Sequence, residues 1–439
     1  MKITPLKNSF DISFTQLASD KSISHRAAIF SLLSKGENHI KNYLQAQDCL
    51  NTLNTIKALG AKVENINDGE YIITAPDKII SANKILECGN SGTAMRIFMG
   101  LLAGIKDEFF VLSGDMYLNE RPMRRITKPL SSVGAKFYGR DNANKAPIAI
   151  CGQELNYFNY HSPIASAQVK TALILASLQN KGAIISEDEL SRDHSEKMLK
   201  AMGANLSQKI DKNGKHEVTI NPLQAPLNPL NISIPNDPSS CFFFGVAAAI
   251  TKNAKVKFQN ILLNPTRIQA FKVLEKMGAQ ISYEKNACLY DDIGTLTISA
   301  PQEGLKAVEI DDKISWLIDE APALAIAFAC ANGTSVLKNA KELRVKESDR
   351  IAVTINALKA CGIKAQELDD GFIITGDPQS KNLKPAQIDS HGDHRIAMSF
   401  AILGLRCGME ISGAEFISTS FPNFKQCLDS LYGDQNAKF

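Results

Sequence analysis

Lys21-Ser22-Ile23-Ser24-His25-Arg26-Ala27-Ala28-Ile29-Phe30 sets a polar, basic opening turn ahead of an apolar helix body. The pattern decides the fold because it returns at Asn90-Ser-Gly-Thr-Ala-Met-Arg96, Ala165-Ser-Ala-Gln168, Asp237-Pro-Ser-Ser240, Asp319-Glu-Ala-Pro322 and Asp393-His-Arg395. The copies lie about 70 to 80 residues apart, far longer than a solenoid unit. Between them runs a second element, an apolar-spaced helix that stops at glycine: Gly60, Gly134, Gly203, Gly278, Gly362 and, more weakly, Gly433. Glycine just past the last apolar turn predicts a left-handed helix end. Alternating runs such as Tyr71-Ile-Ile-Thr74 and Leu296-Thr-Ile-Ser299 read as strands. Six such units in 439 residues predict a mixed α/β chain in two domains of three units each.

Packing alone accounts for the second element. It accounts poorly for the first, whose opening turns collect Lys21, Arg26, Arg96, Gln168, Asp319, His394 and Arg395. Helix N-termini present free N–H groups and the positive end of a dipole, so several of them together would suit a multiply anionic substrate pair.

Bulk composition narrows the function classes. Lys and Arg total 49 against 46 acids, a formal charge of +3, which calls for no nucleic-acid or membrane partner. Nine cysteines without a CxxC pair argue against a disulfide framework or zinc ribbon and for a reducing compartment. The opening Met1-Lys2-Ile3-Thr4-Pro5 lacks a secretory apolar core, and stretches such as Ala321 to Ala331 are too short to span a bilayer. These features together predict a cytoplasmic protein.

Four local clusters carry chemistry. Lys21 opens a helix on which Ser22 and Arg26 are spaced i, i+4, as a phosphate or carboxylate clamp would be. Gly92 would let backbone approach a ligand closely. In Asn119-Glu-Arg121-Pro122-Met-Arg124-Arg125, Pro122 fixes the backbone beside Arg121, the best ligand of the three arginines. Arg344-Val-Lys346-Glu347-Ser-Asp-Arg350 reads as a helical run with Lys346 and Arg350 on one face and an acid/base candidate, Glu347, beside them. Asp319 reads either as an N-cap or as a base. His391 and His394 lack the further ligand that a catalytic zinc site wants.

Together Asp20-Lys-Ser-Ile-Ser-His-Arg26, Asn90 to Arg96, Glu120-Arg-Pro-Met123, Ser166-Ala-Gln168, Asp319, Arg344 to Arg350 and Asp393-His-Arg395 resemble the EPSP synthase family nearly end to end. The resemblance implies two lobes, each an inside-out α/β barrel of three repeats, joined by two hinge strands, with the active site in a cleft that closes on substrate. The lobes would run from 20 to 231 and from 232 to 439, the second completed by 1–19. Ser166-Ala-Gln-Val-Lys170, Arg192-Asp-His-Ser-Glu196 and Asn264-Pro-Thr-Arg267 look like the class II subgroup, while Gly114-Asp-Met116 departs from its Gly-Asp-Lys. Glu342 and Thr419 stand where class I members carry an Asn and a Lys that touch substrate.

The activity implied is transfer of the enolpyruvyl group of phosphoenolpyruvate to the 5-hydroxyl of shikimate 3-phosphate, in aromatic amino-acid (chorismate) biosynthesis. Lys21, Gly92, Arg121, Gln168, Arg350 and Arg395 would hold phosphoenolpyruvate. Lys21, Ser22, Arg26, Ser166, Gln168, Arg192, Asp319 and Lys346 would hold shikimate 3-phosphate. Asp319 would serve as base and Glu347 as proton donor, with Lys21 between the substrates. No metal or organic cofactor is required, and a monomer suffices. Two rivals differ in sequence. The sister transferase acting on UDP-N-acetylglucosamine carries a cysteine before its Arg-Pro, where Gly114 to Glu120 has none. A non-catalytic phospholigand or nucleic-acid binder has no reason to keep Asp319 and Glu347 among cations.

Overall fold

The computed structural model describes residues 1–433 apart from 289; the last stretch of the expected C-terminal lobe, 434–439, lies outside them. Each repeat-opening pattern forms a helix: Lys21–Ser31, Gly92–Ala103, Ala167–Leu178, Pro238–Ile250, Ala321–Ala329 and His394–Cys407. Four start on a side-chain cap, with Asp20, Ser91, Asp237 and Asp393 accepting from Ile23, Ala94, Ser239 and Arg395 N–H groups. Beyond the opening turn these helices are buried almost all round, as their apolar composition requires. The second element forms Gln47–Ala58, Arg124–Ser131, His194–Ala201, Gln269–Lys276, Arg350–Ala360 and Phe424–Ser430. All six following glycines have positive φ, from 80° at Gly433 to 115° at Gly134, so the left-handed helix end holds in every repeat.

The chain divides into two compact units, a mid-chain unit Asp20–Ile234 and a terminal unit of Met1–Ser19 with Pro235–Phe439. Each holds three open sheets. In every sheet one edge strand, from just ahead of the opening helix or from a distant part of the chain, pairs parallel with the strand after that helix. In the mid-chain unit Asn231–Ser233 returns to pair with Glu37–Lys41 of the first repeat, Leu86–Glu87 joins Phe109–Ser113 and Phe158–Ser162 joins Ala183–Glu187.

The terminal unit repeats the device with the N-terminal segment as donor. Asp11–Phe14 pairs parallel with the start of Lys255–Leu262, and Lys2–Ile3 pairs antiparallel with Met409–Ser412. Phe14 packs against Phe244 and Phe258 at 5.2 and 6.1 Å, and Asn236 accepts from Leu17 N–H and donates to the Thr15 carbonyl. The eight cysteines whose side chains are described are free thiols. Among the described residues no helix is long and apolar enough to cross a membrane.

Two runs depart from the sequence reading. Arg344 to Arg350 is not one helix: a 3₁₀ turn ends at Val345 and Arg350–Ala360 begins only after the cap Asp349, whose carboxylate accepts from Ala352 N–H. Lys346 and Arg350 therefore share no helical face; the capping Asp outcompetes the i, i+4 spacing. Asp319 is not the N-cap of Ala321–Ala329 either, since Glu320 occupies that position and makes no side-chain cap bond.

Candidate active site

In the mid-chain unit Asp20 orients the first turn of Lys21–Ser31, and Lys21 Nζ meets Asp48 at 2.5 Å. Arg26 turns inward and is 2% exposed. It donates from Nε to Ser195 Oγ at 2.7 Å, from Nη2 to Thr171 Oγ1 at 2.9 Å and from Nη1 to the Ser22 carbonyl at 3.0 Å. Ser22 and Arg26 do meet, and the guanidinium also ties together three helices of its own unit. His25 lies between Thr52 Oγ1 at 2.7 Å and Ser91 Oγ at 3.1 Å. Burial, then the charges of Lys21 and Arg26, push its pKa well below the ordinary histidine value. The ring therefore stays neutral, one nitrogen donating and the other accepting, and joins the first helix to the cap of the next.

Gly92 sits where two guanidinium groups converge. An added Cβ would lie 2.9 Å from Arg96 Nη1 and 3.0 Å from Arg121 Nη1. Arg96 donates to Gln168 Oε1 at 2.5 Å and to the Pro122 carbonyl at 3.1 Å, and Gln168 donates onward to Thr93 Oγ1 at 2.9 Å. Arg121 donates to Asn90 Oδ1 at 3.0 Å. The meeting of Arg96 and Gln168 depends on Gly100, where a Cβ would sit 2.1 Å from the Ala172 carbonyl oxygen. Only a residue without Cβ lets the two helices approach so closely. Two cations beside a helix N-terminus make a binding place for a small dianion. Of the three arginines in the run, Arg121 alone is buried, while Arg124 is exposed and Arg125 half-buried.

Ser166 immediately precedes helix Ala167–Leu178, and Arg192 lies half-buried ahead of His194–Ala201. Behind them Lys170, 3% exposed, meets Glu187 at 2.6 Å and Glu196 at 2.8 Å. Burial raises the Glu196 carboxyl above its ordinary range, although Lys170 pulls the other way. This triad locks the two helices together.

In the terminal unit Arg350 is the hub. It is 1% exposed, and its Nε and Nη2 donate to Asp393 Oδ2 at 2.8 Å and Glu347 Oε2 at 2.6 Å. Nη1 has no hydrogen-bond acceptor among the described residues; Asp319 Oδ1 lies 3.6 Å away. Asp319 Oδ1 is also 3.7 Å from Arg395 Nε, while Arg395 Nη1 donates to the Asp319 carbonyl at 2.9 Å. Lys346 Nζ is 3.7 Å from Glu342, and burial lowers its pKa against the pull of Asp319 and Glu342. Arg344 is committed to structure, bonding Asp349 and the Asp369 and Leu368 carbonyls. Thr419 donates to the Phe416 carbonyl. Asp319, Lys346, Glu347, Arg350 and Arg395 are thus drawn together in one unit.

Sequence reasoning did not foresee Asp48 as the partner of Lys21 or Gln168 as the partner of Arg96. It noted Asp393 as the start of a repeat and as part of the family resemblance, but not as the carboxylate on Arg350.

Buried guanidinium groups arranged around carboxylates at repeat-opening helices suit multiply anionic ligands. A sequence model of EPSP synthase (3-phosphoshikimate 1-carboxyvinyltransferase) matches residues 13–428. A 3-phosphoshikimate 1-carboxyvinyltransferase of Campylobacter fetus is 62% identical over 98% of this chain and 99% of its own. That of Campylobacter jejuni is 55% identical over the same shares. An EPSP synthase structure from Acinetobacter baumannii superposes with TM-score 0.83 at 37% identity, covering 98% of this chain and 97% of that one. The chain belongs to the EPSP synthase family.

Proposed function

We propose that this chain transfers the enolpyruvyl group of phosphoenolpyruvate to the 5-hydroxyl of shikimate 3-phosphate, releasing phosphate. The observation that carries the catalytic assignment is the pair of carboxylates, Asp319 and Glu347, held 3.6 and 2.6 Å from nitrogens of one buried guanidinium. Such a pair can divide acid and base work.

In the addition half, Asp319 takes the proton of the 5-hydroxyl as its oxygen bonds to C2 of phosphoenolpyruvate, and Glu347 gives a proton to the C3 methylene. In the elimination half, the bond from C2 to the phosphate oxygen breaks, phosphate departs and C3 returns a proton, so the carboxylates exchange roles. Lys21, Gly92, Arg121, Gln168, Arg350 and Arg395 hold phosphoenolpyruvate. Lys21, Ser22, Arg26, Ser166, Gln168, Arg192, Asp319 and Lys346 hold shikimate 3-phosphate. Fixed cations favour the charge that develops on the leaving phosphate. The proposal needs no cofactor or macromolecular partner and sets the reaction in the cytoplasm.

The test is phosphate release dependent on both substrates, with binding measured by calorimetry. Asp319→Ala and Glu347→Gln should bind both substrates and lose turnover by roughly 100-fold or more. Near wild-type turnover in both variants removes the acid/base assignment.

A further inference from the structure

We propose that Glu320 is a positioning residue that sets the orientation of Asp319 by anchoring it to helix Pro238–Ile250. The inference rests on the reading of Asp319 as base. Glu320 is 2% exposed at the head of an otherwise apolar helix, an expensive place for a carboxylate without a purpose. Its Oε1 accepts from Ser239 Oγ. Ser239 in turn accepts from Arg267 Nη2 at 3.2 Å, and the same nitrogen meets Asp237 at 2.5 Å. Asp237 completes the circuit by capping the helix that carries Ser239. All four side chains are buried.

The peptide that follows Asp319 is therefore held at two points. Arg395 holds its carbonyl oxygen, and the next residue is moored to a different helix through Ser239. The Asp319 side chain, just ahead of these anchors, remains 26% exposed and able to meet substrate. Arg267 thus links Asp237 to the Ser239 hydroxyl, and the hydroxyl links on to Glu320, a buried polar chain suited to fixing geometry. The mechanism above uses none of Glu320, Ser239 or Arg267.

Glu320→Ala should lower kcat by roughly tenfold or more, because a displacement near 1 Å at a reacting group can cost that much, while leaving both KM values within about threefold. Glu320→Gln keeps an acceptor for Ser239 and should restore kcat to within about threefold of wild type. Combined with Asp319→Ala, Glu320→Ala should cost nothing further, since a misplaced base and an absent one are alike. Ser239→Ala cuts the same mooring from its other end and replaces Glu320→Ala if that variant does not fold. Unchanged kcat, absence of rescue by Gln, or a loss that adds to that of Asp319→Ala overturns the inference. Wild-type turnover in Asp319→Ala alone would instead overturn the base assignment.

Discussion

Gly92→Ala is the sharpest perturbation the site offers. The new methyl would stand 2.9 Å from Arg96 Nη1 and 3.0 Å from Arg121 Nη1, where unstrained heavy-atom contacts begin near about 3.5 Å. Each guanidinium must withdraw by roughly 0.5 Å. Arg96 cannot do so freely, being held by Gln168 at 2.5 Å and the Pro122 carbonyl at 3.1 Å. A hydrogen bond to a charged group contributes about 1.5–3 kcal/mol, so partial loss of one such contact to a bound dianion is about 1.4 kcal/mol, or tenfold in affinity. Stability moves the other way, because alanine favours a helix over glycine by up to ~1 kcal/mol. The expected result is a KM for phosphoenolpyruvate raised about tenfold, a KM for shikimate 3-phosphate within about threefold, and an undiminished urea midpoint. Initial rates of phosphate release with each substrate varied in turn supply the measurement. A KM for phosphoenolpyruvate within about twofold of wild type, in a variant of normal stability, would show that the convergent guanidinium groups do not serve that ligand.

The buried His25 gives stability a pH dependence of known sign. Its pKa is depressed in the fold from an ordinary 6.5, so the unfolded chain binds the proton first. Stability should be full above about pH 6.5 and fall below it by up to ~1.4 kcal/mol per unit, a slope that His25→Asn removes in urea melts at stepped pH. An equal slope in both proteins would contradict the assignment. Lys170→Met leaves Glu187 and Glu196 buried without their cation and should destabilise the mid-chain unit by about 3–5 kcal/mol, with part regained on adding Glu196→Gln. A loss below about 1 kcal/mol in denaturant unfolding would show the triad to be solvated.

Much of the architecture was legible because its signals are local. The six glycines after apolar turns and the capping residues before apolar bodies each act within a few residues, and the helices formed where they stand. What stayed hidden depended on partners far along the chain. Lys21, Arg26 and Arg96 look equivalent as cations at helix starts, yet Arg26 also reaches Ser195, distant by 169 residues, and Arg96 reaches Gln168. Arg344 and Arg350 look alike in one short run, but Asp349 begins a helix between them and sends Arg344 to backbone carbonyls. Glu320 reads as an unremarkable neighbour of Asp319 until Ser239, removed by 81 residues, is seen beneath it.

The borrowed edge strands have a consequence for synthesis on the ribosome. Residues 20–234 contain all the strands of their three sheets, so that unit can finish folding while the rest of the chain is unmade. The first nineteen residues cannot: Asp11–Phe14 must wait for residues near 255, and Lys2–Ile3 for those near 409. Until then they trail as unpaired edge-forming segments, the kind that invites association with other chains. By the same wiring, excising any of the first five repeats robs another of a strand.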